Sequence, residues 1–149
     1  MSQKHKLEVF ADLEEVRRLG PWISARLRSS LTQSQIASVM PTIELVVQEL
    51  AVNIVTHGYR ATESGSIGVE VKVSPETIDL YFTDTGSAYD PEAVALPCIE
   101  DLQVGGYGVM IIKRLTTGFD LERTDGINHT HLKFGVPPPK SADCNGANR

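Results

Sequence analysis

The order of apolar patterns along the chain predicts an α+β domain, a sheet with helices packed on one face. Three observations carry that expectation. Residues 40–59 place Ile43, Val46, Val47, Leu50 and Ile54 at helical spacing, which makes one face of a helix apolar. Residues 67–73 and 77–83 alternate in polarity around Ser74-Pro75-Glu76, as an antiparallel hairpin does. Residues 119–124 and 129–136 do the same around Asp125-Gly126, a hairpin turn signal.

In chain order, residues 6–10 alternate weakly and suit a short first strand. Asp12 can cap a helix carrying Leu13, Val16, Leu19, Ile23 and Leu27. Gly20-Pro21 falls within that pattern, so a kink or break is expected there. Residues 31–39 are less regular and read as a helical turn leading to Pro41. Pro41 then occupies the first turn of the central helix, which stops near His57-Gly58. After the first hairpin, residues 87–104 hold two prolines and several acids. A loop that long in a compact domain is often a functional lid. Gly105-Gly106-Tyr107-Gly108 opens another helix with Val109, Ile112 and Leu115 as core positions.

The 149 residues suit one domain, residues 1–136, followed by a disordered tail, 137–149, with three prolines and no periodicity. A hydrophobic content of 41% and a charged content of 22% are ordinary for a globular protein. The net charge of −5 argues against a nucleic-acid surface. No apolar run approaches the roughly 18 residues that span a membrane, and the N-terminus lacks the apolar core of a signal peptide. The two cysteines, Cys98 and Cys144, have no metal-ligand spacing and suggest no disulfide framework. These features point to the cytoplasm.

The polar points left by this layout are candidates for chemistry. Glu49 and Asn53 are four apart, so they stack on one side of the central helix, at the edge of its apolar stripe. Polar groups at a core border need partners, whether a ligand or a local hydrogen bond. Asp84 and Gly86 follow a strand, where Asp-x-Gly is by itself a turn signal. Gly105, Gly106 and Gly108 precede a helix, as a flexible loop or as an anion site built on backbone N–H groups and the helix dipole. They are neither a dinucleotide fingerprint nor a P-loop. His57 reads as a packing or capping residue, because no second His or Cys accompanies it. Asn53 offers a hard oxygen of the kind Mg²⁺ accepts, a carboxylate nearby can act as general base, and Asp84 can accept from an exocyclic amine.

In this order the motifs resemble the anti-sigma factor serine/threonine kinases, small members of the Bergerat-fold, histidine-kinase-like ATPases. Glu49-Leu-Ala-Val-Asn53 with His57-Gly58 is similar to the family's first motif. Asp84-Thr-Gly86 with Tyr89-Asp90-Pro91 is similar to its second, and Gly105-Gly106-Tyr107-Gly108 to its third. The resemblance covers about residues 7–134. It implies a two-layer sandwich of a mixed, mainly antiparallel sheet with helices on one face.

It also implies roles. Asn53 would hold the Mg²⁺ that bridges the phosphates of ATP, and Glu49 would be the catalytic base. Asp84 would recognise the adenine amine, with Gly86 giving the base room. Gly105, Gly106, Tyr107 and Gly108 would close over the phosphates, and Thr130 is placed like a family threonine near the adenine. The chain departs from the family pattern in its acidic lid (Glu92, Glu100, Asp101), in having no Lys or Arg beside the glycines, and in Tyr107 where leucine is frequent. Implied partners are a sigma factor, a STAS-domain antagonist phosphorylated on serine, and a second copy of the chain; neither nucleic acid nor membrane is implied. A module that binds nucleotide and partner without phosphate transfer is the alternative, and retention of Glu49 favours the kinase. A detached sensor-kinase ATPase domain is disfavoured, because no histidine-bearing dimerisation helix precedes the motifs and the lid is short.

Overall fold

The computed structural model describes residues 6–58, 65–86 and 108–139. Along the chain come β1 (Lys6–Phe10), a 3₁₀ turn (Glu15–Arg18), α1 (Leu19–Leu27), α2 (Gln33–Asn53) continued by a π turn (Ile54–Gly58), β2 (Ser66–Val73), β3 (Thr77–Asp84), α3 (Gly108–Leu115), β4 (Gly118–Thr124) and β5 (Ile127–Gly135). The strands form one sheet in the order β1-β2-β3-β5-β4. All four pairings are antiparallel, so among the described residues the sheet has no parallel component.

Strand alternation separates the two faces. Ile67, Val69 and Val71 of β2 are buried with Ile78, Leu80 and Phe82 of β3 and Leu132 and Phe134 of β5. Ile23 and Leu27 of α1, Ile43, Val46 and Leu50 of α2, and Ile112 of α3 join them in one core. The opposite face is polar. There Tyr81 stacks on His131 with ring centroids 4.5 Å apart, and His131 Nε2 lies 2.6 Å from Asp79 Oδ1. Burial, and then the Asp79 and Glu70 carboxylates, push the Tyr81 hydroxyl above its ordinary pKa. A cleft of about 480 Å³ opens on this face beside Gly68, Glu70 and Thr83. It lies across the sheet from the side chains of Asp84 and Thr130.

Several boundaries differ from the sequence expectation. The central helix starts at Gln33, with Pro41 in its interior. A capping box sets this start: Thr32 Oγ1 accepts from the Gln35 backbone N–H at 3.2 Å, and Gln35 Oε1 accepts from the Thr32 N–H at 2.8 Å. An interior proline costs about 3 kcal/mol or more. Full burial of an aliphatic side chain contributes roughly 1.5–3 kcal/mol, and Ile43, Val46, Val47 and Leu50 are each at most 3% exposed. The packed face therefore outweighs the proline. Gly20-Pro21 falls in the first turn of α1, where the missing N–H has no helical partner to lose. The change of helix type comes just before it, at Arg18. Asp12 Oδ1 accepts from the Glu14 and Glu15 N–H groups, and Leu13, next to it, is 53% exposed rather than core. Leu115 at the end of α3 is also exposed. The carbonyl of Pro137 accepts from Gln35 Nε2 at 2.8 Å, so the first tail residue is tied to α2; residues 140–149 lie outside the described residues.

The expectation that no stretch approaches membrane-spanning length does not hold. Gln33–Thr56 is a helix of 24 residues with a window of mean hydropathy 1.4, long and apolar enough to cross a membrane. Its most apolar side chains are the core of this domain, and a core helix meets the same test.

Candidate functional site

Two groups of polar residues stand out against the apolar layer between helices and sheet. The first is on α2 and α3. Glu49 and Asn53 are half-buried, flanked on their helix by the buried Val46, Leu50 and Ile54. That places them at the edge of the stripe, as their spacing predicts. The buried Gly108, the first residue of α3, packs directly on both. A methyl group on Gly108 would stand 3.0 Å from Glu49 Oε2, 3.1 Å from Asn53 Nδ2 and 3.3 Å from Asn53 Oδ1. Glycine suits this close approach, because even a methyl group would make the carboxylate and the amide give by a few tenths of an ångström. The fold thus brings residues 55 and 59 positions apart in sequence into one cluster. Gly105, Gly106, Tyr107 and the lid residues 87–104 lie outside the described residues.

The second group is at the end of β3. Asp84 is 5% exposed on the helix-covered face of the sheet, where Asn128 and Thr130, each 2% exposed, share that face from β5. Asp84 Oδ1 accepts from the Gly86 N–H and from Asn128 Nδ2, both at 2.9 Å. The Gly86 carbonyl accepts from Asn128 Nδ2 at 3.1 Å and from Arg123 Nη1 at 2.8 Å. Asp-x-Gly is therefore a turn, as its bare reading has it, and is also a carboxylate held in a fixed orientation. Thr130 sits two residues along β5 from Asn128, which is the residue opposite Asp84.

Asn128 and Arg123 are absent from the sequence-based set. The signal for them is the turn between them. Asp125 and Gly126 both have positive φ, 54° and 80°, as a type I′ turn requires. That turn pairs Thr124 with Ile127 and Arg123 with Asn128. Counting on from Asp125-Gly126 makes Asn128 an inward strand position, where asparagine is a poor choice unless it has bonds to make.

The donor set fits a divalent cation of one kind. Among the described residues no three His, Cys, Asp or Glu side chains cluster as a metal site. Asn53 supplies one hard oxygen beside the Glu49 carboxylate, which suits an ion that keeps water and phosphate ligands rather than a cage made by the protein alone.

The described residues thus form an antiparallel sheet covered on one face by helices, with a glycine-led helix packed on an acid-amide pair. Residues 9–134 match the family model described as histidine kinase-like ATPase domain, and the chain belongs to that family. A protein of Bordetella bronchiseptica named serine/threonine-protein kinase BtrW is 29% identical over 130 residues, covering 85% of this chain and 82% of that one. Serine-protein kinases named RsbW, from Halalkalibacterium halodurans and Oceanobacillus iheyensis, are 26% and 25% identical over 100 and 93 residues. Those alignments span about three fifths of the RsbW chains, 60% and 59%. Among solved structures, the histidine kinase domain of the Erythrobacter litoralis EL346 blue-light activated histidine kinase aligns with a TM-score of 0.51 at 15% identity, over 79% of this chain and 61% of that one. This last likeness concerns the fold. Membership of an ATPase family implies an ATP site.

Proposed function

We propose that this chain is a cytoplasmic, Mg²⁺- and ATP-dependent protein serine kinase and anti-sigma factor, acting by partner switching. The observation that carries the reading is the approach of Gly108 to both Glu49 and Asn53. It joins the start of a helix, where backbone N–H groups favour phosphate, to an amide oxygen and a carboxylate. The names of the relatives support the kinase class.

In this reading Asn53 would hold Mg²⁺ through its side-chain oxygen, and the ion would supply positive charge beside the ATP phosphates. Gly108 would lie against the phosphates, a role the resemblance also implies for Gly105, Gly106 and Tyr107. Asp84 accepts from the adenine amine, Gly86 leaves room for the base, and Thr130 lies near it. Glu49 takes the proton of the attacking serine hydroxyl as the new P–O bond forms and the bond to the ADP oxygen breaks. Such transfer is mostly positioning and electrostatics, so the absence of a cation beside the sequence glycines leaves metal and backbone to carry the charge. The substrate is a serine on a STAS-domain antagonist, the sequestered partner is a sigma factor, and the working form is a homodimer.

The test is incubation of the purified protein with γ-labelled ATP, Mg²⁺ and each STAS-domain protein from the same source. Label on one antagonist serine is expected. An antagonist that binds but stays unlabelled would favour the switch module without transfer. In the same system Asn53→Ala is expected to fold and to lose the strengthening of nucleotide binding by Mg²⁺, read by calorimetry with and without the metal. Unchanged metal dependence would make Asn53 a packed amide only.

A further inference from the structure

We propose that Asn128 and Arg123 are positioning residues that make the base pocket selective for adenine by fixing the orientation of the Asp84 carboxylate. The proposal rests on the reading of Asp84 as the adenine acceptor and adds the device that would set its specificity.

The device is one row of residues across four strands. Arg123 of β4 lies opposite Asn128 of β5, which lies opposite Asp84 of β3, which lies opposite Ile67 of β2. The chemistry of the two ends fixes the middle. A guanidinium can only donate and a carboxylate only accept. Arg123 Nη1 donates to Asn128 Oδ1 at 2.8 Å, so the Asn128 amide must turn its NH₂ toward Asp84 Oδ1 and the Gly86 carbonyl. An asparagine alone could flip and face Asp84 with its oxygen. With Arg123 in place that orientation would oppose two acceptors and abandon a charged donor.

The bonds converge on one carboxylate oxygen. Asp84 Oδ1 takes both the Gly86 N–H and Asn128 Nδ2, and none of the bonds in this row uses Oδ2. The carboxylate cannot rotate without breaking two hydrogen bonds, so Oδ2 is held as a pure acceptor. A pure acceptor matches the C6 amine of adenine and opposes the C6 oxygen of hypoxanthine or guanine. The Gly86 carbonyl is occupied twice, by Arg123 and Asn128, which fixes the turn that would flank the base. A merely structural asparagine would satisfy a strand end; it would not require an arginine to set its amide.

The experiment compares ATP with inosine triphosphate, which carries an oxygen in place of the amine. Affinities are measured by calorimetry on wild type, Asn128→Leu and the exposed Arg123→Met, with melting curves without nucleotide as the check on folding. Wild type should prefer ATP by about 100-fold or more. Asn128→Leu should lose about 10–100-fold in ATP affinity, as expected for a bond to a charged group, with little change for inosine triphosphate, so the preference collapses. Arg123→Met should narrow the preference in the same direction, about threefold to tenfold. If wild type has no preference, the adenine role of Asp84 fails and the relay with it. If wild type prefers ATP and both variants keep the full ratio, the relay is overturned while the adenine role stands. Should Asn128→Leu fail to fold, Arg123→Met decides alone, and an unchanged ratio there overturns the proposal.

Discussion

Replacing Glu49 with glutamine is expected to reduce phosphate transfer by about 10²–10⁴-fold, the contribution of a positioned general base, while leaving nucleotide affinity within about threefold. The two effects separate because Glu49 and Asn53 share a helix face but not a task. In the proposed reading Asn53 acts in the ground-state complex, and Glu49 acts only when a hydroxyl attacks. The fold should tolerate the change: the carboxylate lies at the rim of the stripe, and the stability of α2 comes from Ile43, Val46, Val47 and Leu50 behind it. Glutamine keeps the shape that Gly108 packs on and removes the basic oxygen. Capture of the proposed sigma-like partner should persist, since the proposed reading places that contact on the outer surface, away from Glu49. Calorimetry reads affinity, and label on the antagonist reads transfer. A parallel fall in both would make Glu49 part of the pocket wall, and equal transfer by both proteins would remove it as the base.

The sequence made the layers legible where periodicity was strong and misplaced the edges where local chemistry decided. Both hairpins were visible from alternation and turn residues, and β2, β3 and β4 start or stop within one residue of the expected limits. β5 starts two residues earlier than expected, at Ile127, and that shift hid Asn128 by leaving it in the turn. The capping box at Thr32 was missed for a related reason. Pro41 dominates any local reading, yet the burial of the turns after it decides whether a helix runs through. For the site, the i, i+4 spacing of Glu49 and Asn53 indicated a shared face, and the resemblance assigned tasks. The meeting of Gly108 with that face, and the bonds from Arg123 to Asp84, are tertiary facts. They depend on how α3 docks on α2 and on the register that one two-residue turn imposes.

Valine at position 108 is expected to abolish stabilisation by nucleotide while the apo fold survives. Even a β-carbon would stand 3.0 Å from Glu49 Oε2 and 3.1 Å from Asn53 Nδ2. Those neighbours are the ends of flexible side chains, so Gly108→Ala can be accommodated by a small shift, at the cost of moving the carboxylate and the amide. Valine adds two more carbons at the same point, and its stiff, branched χ1 limits how far they can turn away. The displaced groups would be those assigned to metal and proton, and the added bulk would stand at the phosphates. Wild type at a hundredfold excess of ATP-Mg over its dissociation constant should gain about 2.7 kcal/mol, which for a domain of this size is roughly 5–10 °C in Tm. Gly108→Ala should keep part of that shift and Gly108→Val none. The apo melting temperatures should stay close, because Ile112, one turn on, still anchors α3 in the core at 0% exposure. A valine variant that retains the full ATP shift would mean that the phosphates do not lie against the start of α3, and the site would have to be sought elsewhere on the sheet.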